Sequence, residues 1–297
     1  MAERDRLATV AVVGVGLIGR SIAFALRAQG IRVLLSDSNR RAVDDAVRRG
    51  AGERLADTTS PADLSVIAVP PGAVPSTLRH AQSRRMAPVY TDVSGVKVAP
   101  VRAARALGCD LTAFVPGHPI AEETAPAHAA RPDLFRGRGW VLCPQEDTRS
   151  DAVTLVRRLI ELCGAIPVLM EADTHDRIAA LISHVPYLVA SALAGSLADA
   201  PPEVLWLGSA AGPDVTGPAA GDPAVGAEIL SQNATWVSNV LSDIAANLVD
   251  VCAALQLAGA GDDSFLGDVA ALLHRGHTGR RRLAGAERPH DEDGSEE

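Results

Sequence analysis

The chain has 297 residues, 47% hydrophobic and 22% charged, a composition typical of globular proteins with one large or two smaller domains. Its formal net charge of −8 argues against a nucleic-acid partner, because nucleic-acid-binding surfaces are normally basic. The first residues lack the apolar segment of a secretion signal, and no apolar run reaches the ~18–20 residues of a membrane helix. The four scattered cysteines form no metal-binding cluster. We therefore expect a cytoplasmic protein with no metal site and no membrane partner.

From residue 8 to about 170, short apolar segments alternate with stretches of helical periodicity. The predicted strands are Ala8–Val13, Ile31–Leu35, Leu64–Val69, Pro88–Val93, Thr112–Val115, Trp140–Leu142 and Ile166–Leu169. Helices are predicted between them, for example over Ile18–Gln29 and Arg40–Arg49. Such alternation indicates a parallel sheet covered by helices on both faces. We therefore predict an α/β, Rossmann-like domain over residues 1–171.

The second half of the chain is predicted to be all-α. Helical patterns cover Asp173–Ala200, Asp222–Leu241 and Ser242–Leu257, which indicates a helical domain over residues 172–258. Its apolar surface is large for a three-helix appendage, which favours an intertwined homodimer. Residues 259–297 end in an acidic tail that can bury little apolar surface, so we expect this extension to be largely disordered.

A glycine-rich motif follows the first predicted strand and opens the first predicted helix. Gly14, Gly16 and Gly19 form the pattern G-x-G-x-x-G. In a dinucleotide-binding fingerprint the three glycines allow a tight turn, close approach of the pyrophosphate and close helix packing, in that order. The helix N-terminus attracts the phosphates. We expect Leu17 and Ile18, within the motif, to contact the cofactor as well.

Two further features lie where the cofactor is expected. The second predicted strand leads to Asp37, an acid that can bind ribose hydroxyls and repel a 2′-phosphate, which favours NAD over NADP. Arg40 and Arg41 lie close by and leave NADP open, because arginine can accept that phosphate. Val69 and Pro70 end a predicted strand at the sheet edge where ligands bind, although an ordinary strand end would look the same.

Five segments occur in the order seen in the prephenate/arogenate dehydrogenase family. They are VGVGLIGRS, TDVSGVK, GHPIAEET, DTHDRIAALISHVPYLVAS and DVTGPAAGDP. The chain resembles that family over residues 8–257. The resemblance implies a Rossmann-like domain followed by a helical dimerisation domain. It also implies an oxidative decarboxylation, in which a cyclohexadienol ring gives a hydride to the nicotinamide and loses a carboxylate as CO₂.

The resemblance also assigns roles to single residues. His118 matches the family's His-Pro motif and is expected to act as the base, a role that suits imidazole because it titrates near neutral pH. Lys97, the only lysine, is expected to fix its loop or to contact the cofactor. His184, Tyr187 and Thr216 are expected to line the site from the helical domain. A packed, non-catalytic helix histidine is an equally open interpretation of His184.

Three departures from the family pattern concern the substrate. Gly95 stands where the family has a serine, and Ser94 either supplies that hydroxyl or faces elsewhere. Pro213 and Gly217 replace two arginines, one of which clamps a substrate carboxylate through a fork-like pair of hydrogen bonds. Glu122 stands close to His118, in place of a glycine, and adds a negative charge that would disfavour a dianionic substrate.

These departures predict an enzyme that binds NAD but prefers a substrate other than prephenate. Candidates are arogenate and a prephenate with a ring amino group, which occurs in specialised antibiotic pathways. Glu122 or Glu123 would then face the ammonium group, and Arg177 is a candidate for the missing clamp. One alternative is a non-catalytic, NAD-binding family member that acts as a sensor or assembly partner. A reductase of the β-hydroxyacid type is a third possibility, but it resembles only the first third of the chain.

Overall fold

The computed structural model describes residues 7–56, 60–121, 127–209, 215–259 and 266–286. The chain forms two compact units, Met1–Val237 and Ser238–Glu297. Elements from both sides of residue 171 therefore belong to the first unit. The domain division at that residue stays a prediction.

A parallel sheet forms the centre of the first unit. Its strands are β1 Thr9–Val13, β2 Arg32–Ser36, β3 Glu53–Arg54, β4 Leu64–Ile67, β5 Tyr90–Asp92 and β6 Phe114–Val115. They lie in the order β3–β2–β1–β4–β5–β6, and every pair is parallel. Successive strands are added on one side of β1 up to β3 and then on its other side from β4 onward, so the order of addition reverses between β1 and β4. In open α/β sheets, ligands bind at the carboxyl ends of the strands at such a reversal.

Helices cover both faces of this sheet. They are α1 Leu17–Ala28, α2 Arg40–Arg48, α3 Val74–Ser83, α4 Val98–Ala106 and α5 Ser150–Leu162. Successive side chains of a strand point to opposite faces. Val10 and Val12 accordingly pack in one buried cluster with residues of α1 and α5, whereas Ala11 packs in a second cluster with residues of α3 and α4. The Rossmann-like fold expected from the sequence is confirmed.

A second, three-stranded sheet follows. Its strands are β7 Gly117–Pro119, β8 Gly139–Leu142 and β9 Ile166–Leu169, with β8 antiparallel to β7 and parallel to β9. The sequence predicted neither β3 nor β7. The first consists of two exposed charged residues, and the second is the tripeptide Gly-His-Pro. Neither contains the β-branched or aliphatic residues typical of strands, so only their pairing with neighbours identifies them.

Helices make up most of the described chain after β9. They are α6 Ala172–Ala179, α7 Val185–Gly195, α8 Pro202–Gly208, α9 Pro223–Gln232, α10 Ala234–Gly259 and α11 Leu266–Ala284. A π-helical turn, Ala180–His184, joins α6 to α7. In a regular α-helix the ring of Pro186 would clash with the carbonyl four residues earlier. The wider π turn accommodates this proline, so the helix widens locally and the chain stays helical.

Two helical predictions need correction. The boundary expected between Leu241 and Ser242 lies inside α10, and the break between helices is at Asn233. The extension over 259–297 was expected to be largely disordered, but Leu266–Ala284 is helical. Its Ala, Leu and Arg residues favour helix, and the acidic first turn and basic last turn suit the helix dipole.

Two helical segments, Ala172–Gly195 and Ala234–Leu257, are long and apolar enough to cross a membrane by length and composition alone. Polar residues interrupt both segments, so neither contains an uninterrupted apolar run of that length. The first segment contains His175, Asp176 and His184, all of them buried. These polar side chains take part in the site described next, which fits packing inside the protein better than contact with lipid.

Candidate active site

The loop between β1 and α1 has the close backbone contacts of a dinucleotide-binding fingerprint. Gly14 has φ +100°, and a Cβ atom there would lie 2.0 Å from the carbonyl oxygen of Ala68. A Cβ atom on Gly19 would lie 2.0 Å from the carbonyl oxygen of Gly14. At Gly16, by contrast, the Cβ position has nothing within 4 Å. The first and third glycines are therefore required for packing, while the second leaves open space at the start of α1.

Asp37 lies beside this loop, just after β2. Its carboxylate accepts hydrogen bonds of 2.8 Å from the N–H groups of Val15 and Asn39. It thus fixes the glycine loop from the position where this fold binds a ribose. Leu17 and Ile18 form the start of α1. Leu17 is buried and Ile18 is half-buried.

The loop after β4 borders the glycine loop. Val69 Cγ1 lies 3.3 Å from the Cβ position of Gly14, and Pro70 is exposed directly before a short 3₁₀ helix, Pro71–Ala73. The N–H of Gly72 donates a 2.7 Å hydrogen bond to Glu228 of α9. Val69 and Pro70 therefore lie at the expected edge of the sheet, and α9 is hydrogen-bonded to the same loop.

These features fit a bound NAD. The open space at Gly16 and the N-terminus of α1 would hold the pyrophosphate, and the Asp37 carboxylate would face the adenosine ribose.

Replacing Gly16 with alanine is expected to weaken NAD binding about tenfold or more, because the added methyl group would occupy the space needed by the pyrophosphate. The melting temperature should stay within about 2 °C of the wild type, since the Cβ position is open. Calorimetric titration with NAD and a thermal melt measure the two effects. Gly195→Ala, at another open position, is the control. Unchanged NAD affinity in Gly16→Ala would contradict the placement of the pyrophosphate.

A cavity of about 780 Å³ lies within the first unit and is lined by residues from both halves of the sequence. Most of its described lining is apolar. The lining residues that can ionise or form side-chain hydrogen bonds are His118, His175, Ser183, His184, Tyr187 and Asp222. None of the described lining residues is an arginine or a lysine.

His118, in β7, begins a chain of buried polar groups that leads from the cavity into the interior. Its Nδ1 lies 2.8 Å from Nε2 of His175, in α6, and His175 Nδ1 lies 2.8 Å from Oδ1 of Asp176. The Asp176 carboxylate also accepts hydrogen bonds from the backbone N–H groups of Lys97 and Val98, at 2.8 and 2.9 Å. The side chains of His118, His175 and Asp176 are all buried.

This arrangement determines where the protons lie. Asp176 accepts, so His175 donates from Nδ1 and accepts at Nε2. Burial lowers the pKa of His175, although its hydrogen bond to Asp176 opposes this effect, so His175 is neutral near pH 7. His118 then donates from Nδ1, and the lone pair on its Nε2 lies beside Gly95, 3.7 Å from that residue's Cβ position. His118 is therefore arranged to accept a proton from a bound substrate.

The sequence alone does not connect His175 and Asp176 with His118. The connection spans 57 residues, and no local pattern reveals it.

His184 approaches the same point from the other side. It is buried at the end of the π turn, and its Nε2 lies 4.0 Å from the Cβ position of Gly95. Its Nδ1 lies 3.0 Å from the side-chain nitrogen of Asn233, which also donates a 2.7 Å hydrogen bond to the carbonyl oxygen of Asp176. Asn233 was not identified from the sequence, because an isolated asparagine between two helices carries no recognisable signal.

Lys97 stabilises the loop after β5. Its ammonium group is fully buried and lies 2.6 Å from Asp92, 2.5 Å from the carbonyl oxygen of Gly117 and 3.2 Å from Ser94 Oγ. The Ser94 hydroxyl also contacts the Asp92 carboxylate. Of the two roles expected for Lys97, this geometry fits the fixing of the loop and not cofactor contact.

The expectation of a catalytic Ser94 does not fit the structure. Ser94 is buried and does not line the cavity, because its hydroxyl faces the pair formed by Asp92 and Lys97. Gly95 is the residue of this loop that faces the cavity, between His118 and His184.

Of the other residues expected at the site, only one among those that the structure describes lines the cavity. Tyr187 lines the cavity, and its hydroxyl packs 2.6 Å from the Cβ position of Gly226. Thr216 is half-buried and does not line the cavity. Glu122 lies outside the described residues. Arg177 is exposed, and its guanidinium lies 6.0 Å from the centre of the Trp236 ring, so it does not replace the missing clamp in this arrangement.

Comparison with known proteins identifies the family and the fold. Residues 22–169 match the prephenate dehydrogenase nucleotide-binding domain, and residues 171–265 match the prephenate dehydrogenase dimerization domain. The chain belongs to the prephenate dehydrogenase family. It is 36% identical over 284 residues to "Probable prephenate dehydrogenase NovF" of Streptomyces niveus, covering 93% of this chain and 78% of that protein.

Other relatives agree with this assignment. A cyclohexadienyl dehydrogenase of Zymomonas mobilis is 28% identical, over 80% of this chain and 85% of its own length. The structure of Aquifex aeolicus prephenate dehydrogenase in complex with hydroxyphenyl propionate and NAD⁺ is 25% identical, has a TM-score of 0.78 and covers 94% of this chain and 99% of that one. This member of the prephenate dehydrogenase family is therefore an oxidoreductase that uses NAD.

Proposed function

We propose that this protein catalyses the aromatising oxidative decarboxylation of a cyclohexadienyl substrate, and that it favours arogenate or a ring-aminated prephenate over prephenate. The charge of the cavity supports this preference. Asp222 is a lining residue whose carboxylate also caps α9 by accepting a 2.8 Å hydrogen bond from Ala224 N–H, and no described lining residue is an arginine or a lysine. Prephenate carries two carboxylates and no cation, whereas both preferred substrates carry an amino group that Asp222 would attract.

His118 has a defined part in this reaction. NAD, when bound, accepts the hydride from the ring carbon that carries the hydroxyl or amino group. The ring carboxylate leaves as CO₂, and its bonding electrons complete the aromatic ring. A ring ammonium must first lose one proton, because without a lone pair its nitrogen cannot stabilise the carbon that the hydride leaves. The lone pair of His118 Nε2 is oriented to take that proton, or the hydroxyl proton of a cyclohexadienol.

Glu122 and Glu123 add to the proposal from the sequence alone. They follow Ala121, which lines the cavity, and they lie outside the described residues. Either carboxylate would reinforce the attraction of Asp222 for an ammonium group.

The deciding experiment measures NADH formation with prephenate, arogenate and 4-amino-4-deoxyprephenate side by side. The proposal expects kcat/KM for at least one amino substrate to exceed that for prephenate by about tenfold, the factor that corresponds to ~1.4 kcal/mol. Strong turnover of prephenate with a micromolar KM would overturn the substrate preference. NAD binding without turnover of any of the three would support the non-catalytic alternative.

Gly95→Ser is expected to shift the preference back towards prephenate. A serine side chain here would start at a position 3.7 Å from His118 Nε2, where its hydroxyl can hydrogen-bond a substrate hydroxyl. One such bond contributes about 0.5–1.5 kcal/mol, so kcat/KM for prephenate should rise about two- to tenfold. Gly95→Ala is the matched control, because it adds bulk without a hydroxyl. An equal change in both variants would contradict a role for the hydroxyl.

We further propose that the protein is a soluble homodimer. Several large apolar side chains of the helical region are exposed in the single chain, among them Leu193, Trp206 and Leu207. Exposed apolar surface of this kind is typical of interfaces, and residues 171–265 match a dimerization domain. Burial of these side chains between two chains would account for their exposure. A molar mass measured by light scattering tests this proposal.

A further inference from the structure

Asn233 links His184 to the backbone of Asp176, the last residue of the hydrogen-bond chain from His118, without lining the cavity itself. It lies between α9 and α10 and is 4% exposed. One side-chain nitrogen lies 2.7 Å from the carbonyl oxygen of Asp176 and 3.0 Å from Nδ1 of His184. The side chain of the same Asp176 ends the hydrogen-bond chain that begins at His118.

These contacts determine the orientation of the amide and the tautomer of His184. A carbonyl oxygen can only accept, so the Asn233 atom beside it must be the NH₂ group. The second proton of that NH₂ points to His184 Nδ1, which must therefore be an unprotonated acceptor. The proton of a neutral His184 is then on Nε2, the atom beside Gly95.

We propose that Asn233 is a positioning residue that holds His184 as a hydrogen-bond donor for a carboxylate oxygen of the substrate. The carboxylate part of this inference rests on the proposed function. The described cavity lining offers no arginine or lysine to such a group, and His184 Nε2–H is a buried donor that faces the cavity. This donor thus replaces one of the hydrogen bonds that the missing arginine would give to the substrate carboxylate.

The imidazoles of His118 and His184 consequently have opposite hydrogen-bonding roles on the two sides of Gly95. His118 presents a lone pair and His184 presents a proton. A carboxylate beside His118 would meet that lone pair and be repelled, whereas an amino or hydroxyl group can donate to it. The pair therefore selects one orientation of the substrate, with the amino or hydroxyl group at His118 and a carboxylate at His184.

The tautomers can be measured directly in the wild-type protein without substrate. ¹⁵N NMR of histidine-labelled protein distinguishes a protonated from an unprotonated ring nitrogen, and His184→Gln identifies the His184 resonances by their loss. We expect protonated Nε2 and unprotonated Nδ1 in His184, and the reverse in His118. A protonated Nδ1 on His184 would overturn the proposal.

A substitution then tests the functional consequence. Asn233→Ala should raise the substrate KM about tenfold, with kcat changed less than threefold and the KM for NAD unchanged, and the His184 signals should no longer report a single tautomer. Asn239→Ala, an exposed asparagine in α10, is the control and should match the wild type. An unchanged substrate KM in a variant whose His184 tautomer has shifted would overturn the role in binding. If Asn233→Ala fails to fold, two other measurements test the proposal: the wild-type tautomers and the substrate KM of His184→Gln. A substrate KM of His184→Gln equal to that of the wild type would overturn the role of His184 in substrate binding.

Failure of the proposed substrate preference would look different. Efficient turnover of prephenate would overturn that preference but leave the wild-type tautomers as stated, since these are measured without substrate.

Discussion

Replacing His118 with asparagine is expected to lower kcat about a hundred- to ten-thousandfold, the range that a positioned acid–base group contributes. The hydrogen-bond chain to His175 and Asp176 orients the His118 lone pair towards the cavity, and an asparagine side chain cannot accept a proton there at neutral pH. NADH formation with the best substrate of the three measures the effect. NAD affinity, measured by calorimetry, should change little, because His118 belongs to β7 and the glycine loop lies between β1 and α1.

The control for this experiment is His128→Asn. His128 is exposed in a short 3₁₀ helix, and its replacement should leave kcat within about twofold of the wild type. Retention of more than a tenth of the activity by His118→Asn would rule out His118 as the base. The hydrogen-bond chain would then have a purely structural role.

Replacing Lys97 with alanine is expected to destabilise the protein by about 3–5 kcal/mol, the usual cost of removing one partner of a buried ion pair. Lys97 and Asp92 have side-chain exposures of 0% and 1%, so the Asp92 carboxylate would stay buried without its cation. The loop that carries Gly95 would lose its main support. Urea denaturation at one fixed protein concentration measures the change in the free energy of unfolding.

Arg102→Ala, at an exposed position in α4, is the matched control, because it also removes a positive charge. It should lower the free energy of unfolding by less than about 0.5 kcal/mol. The double variant Lys97→Met with Asp92→Leu should recover part of the lost stability, because apolar residues often replace a buried ion pair at little cost. Recovery should be partial, since Asp92 also accepts a hydrogen bond from Gly117 N–H. A loss below about 1 kcal/mol in Lys97→Ala would show that the pair is not a main support of this loop.

The amino-acid sequence by itself determined the cofactor half of this protein. The glycine spacing, the strand before it and the acid after the next strand are local features, each specified by turn geometry or by a short apolar period. Gly14 and Gly19 have the close contacts that their spacing predicted. The position of His118 in the site was implied by the resemblance of its His-Pro segment to the family motif, and the structure places that residue in β7 at the cavity.

The tertiary structure alone decided the chemistry around His118. His175 is 57 residues away from it, and Asp176 accepts from the backbone of Lys97 across 79 residues. Contacts over such distances depend on how helices pack against the sheet, which no local period encodes. The same holds for the orientation of the loop after β5, where burial of Lys97 turns Ser94 inward and leaves Gly95 at the cavity. The role of His118 as the base stays a prediction, and the packing determined which atoms orient its imidazole.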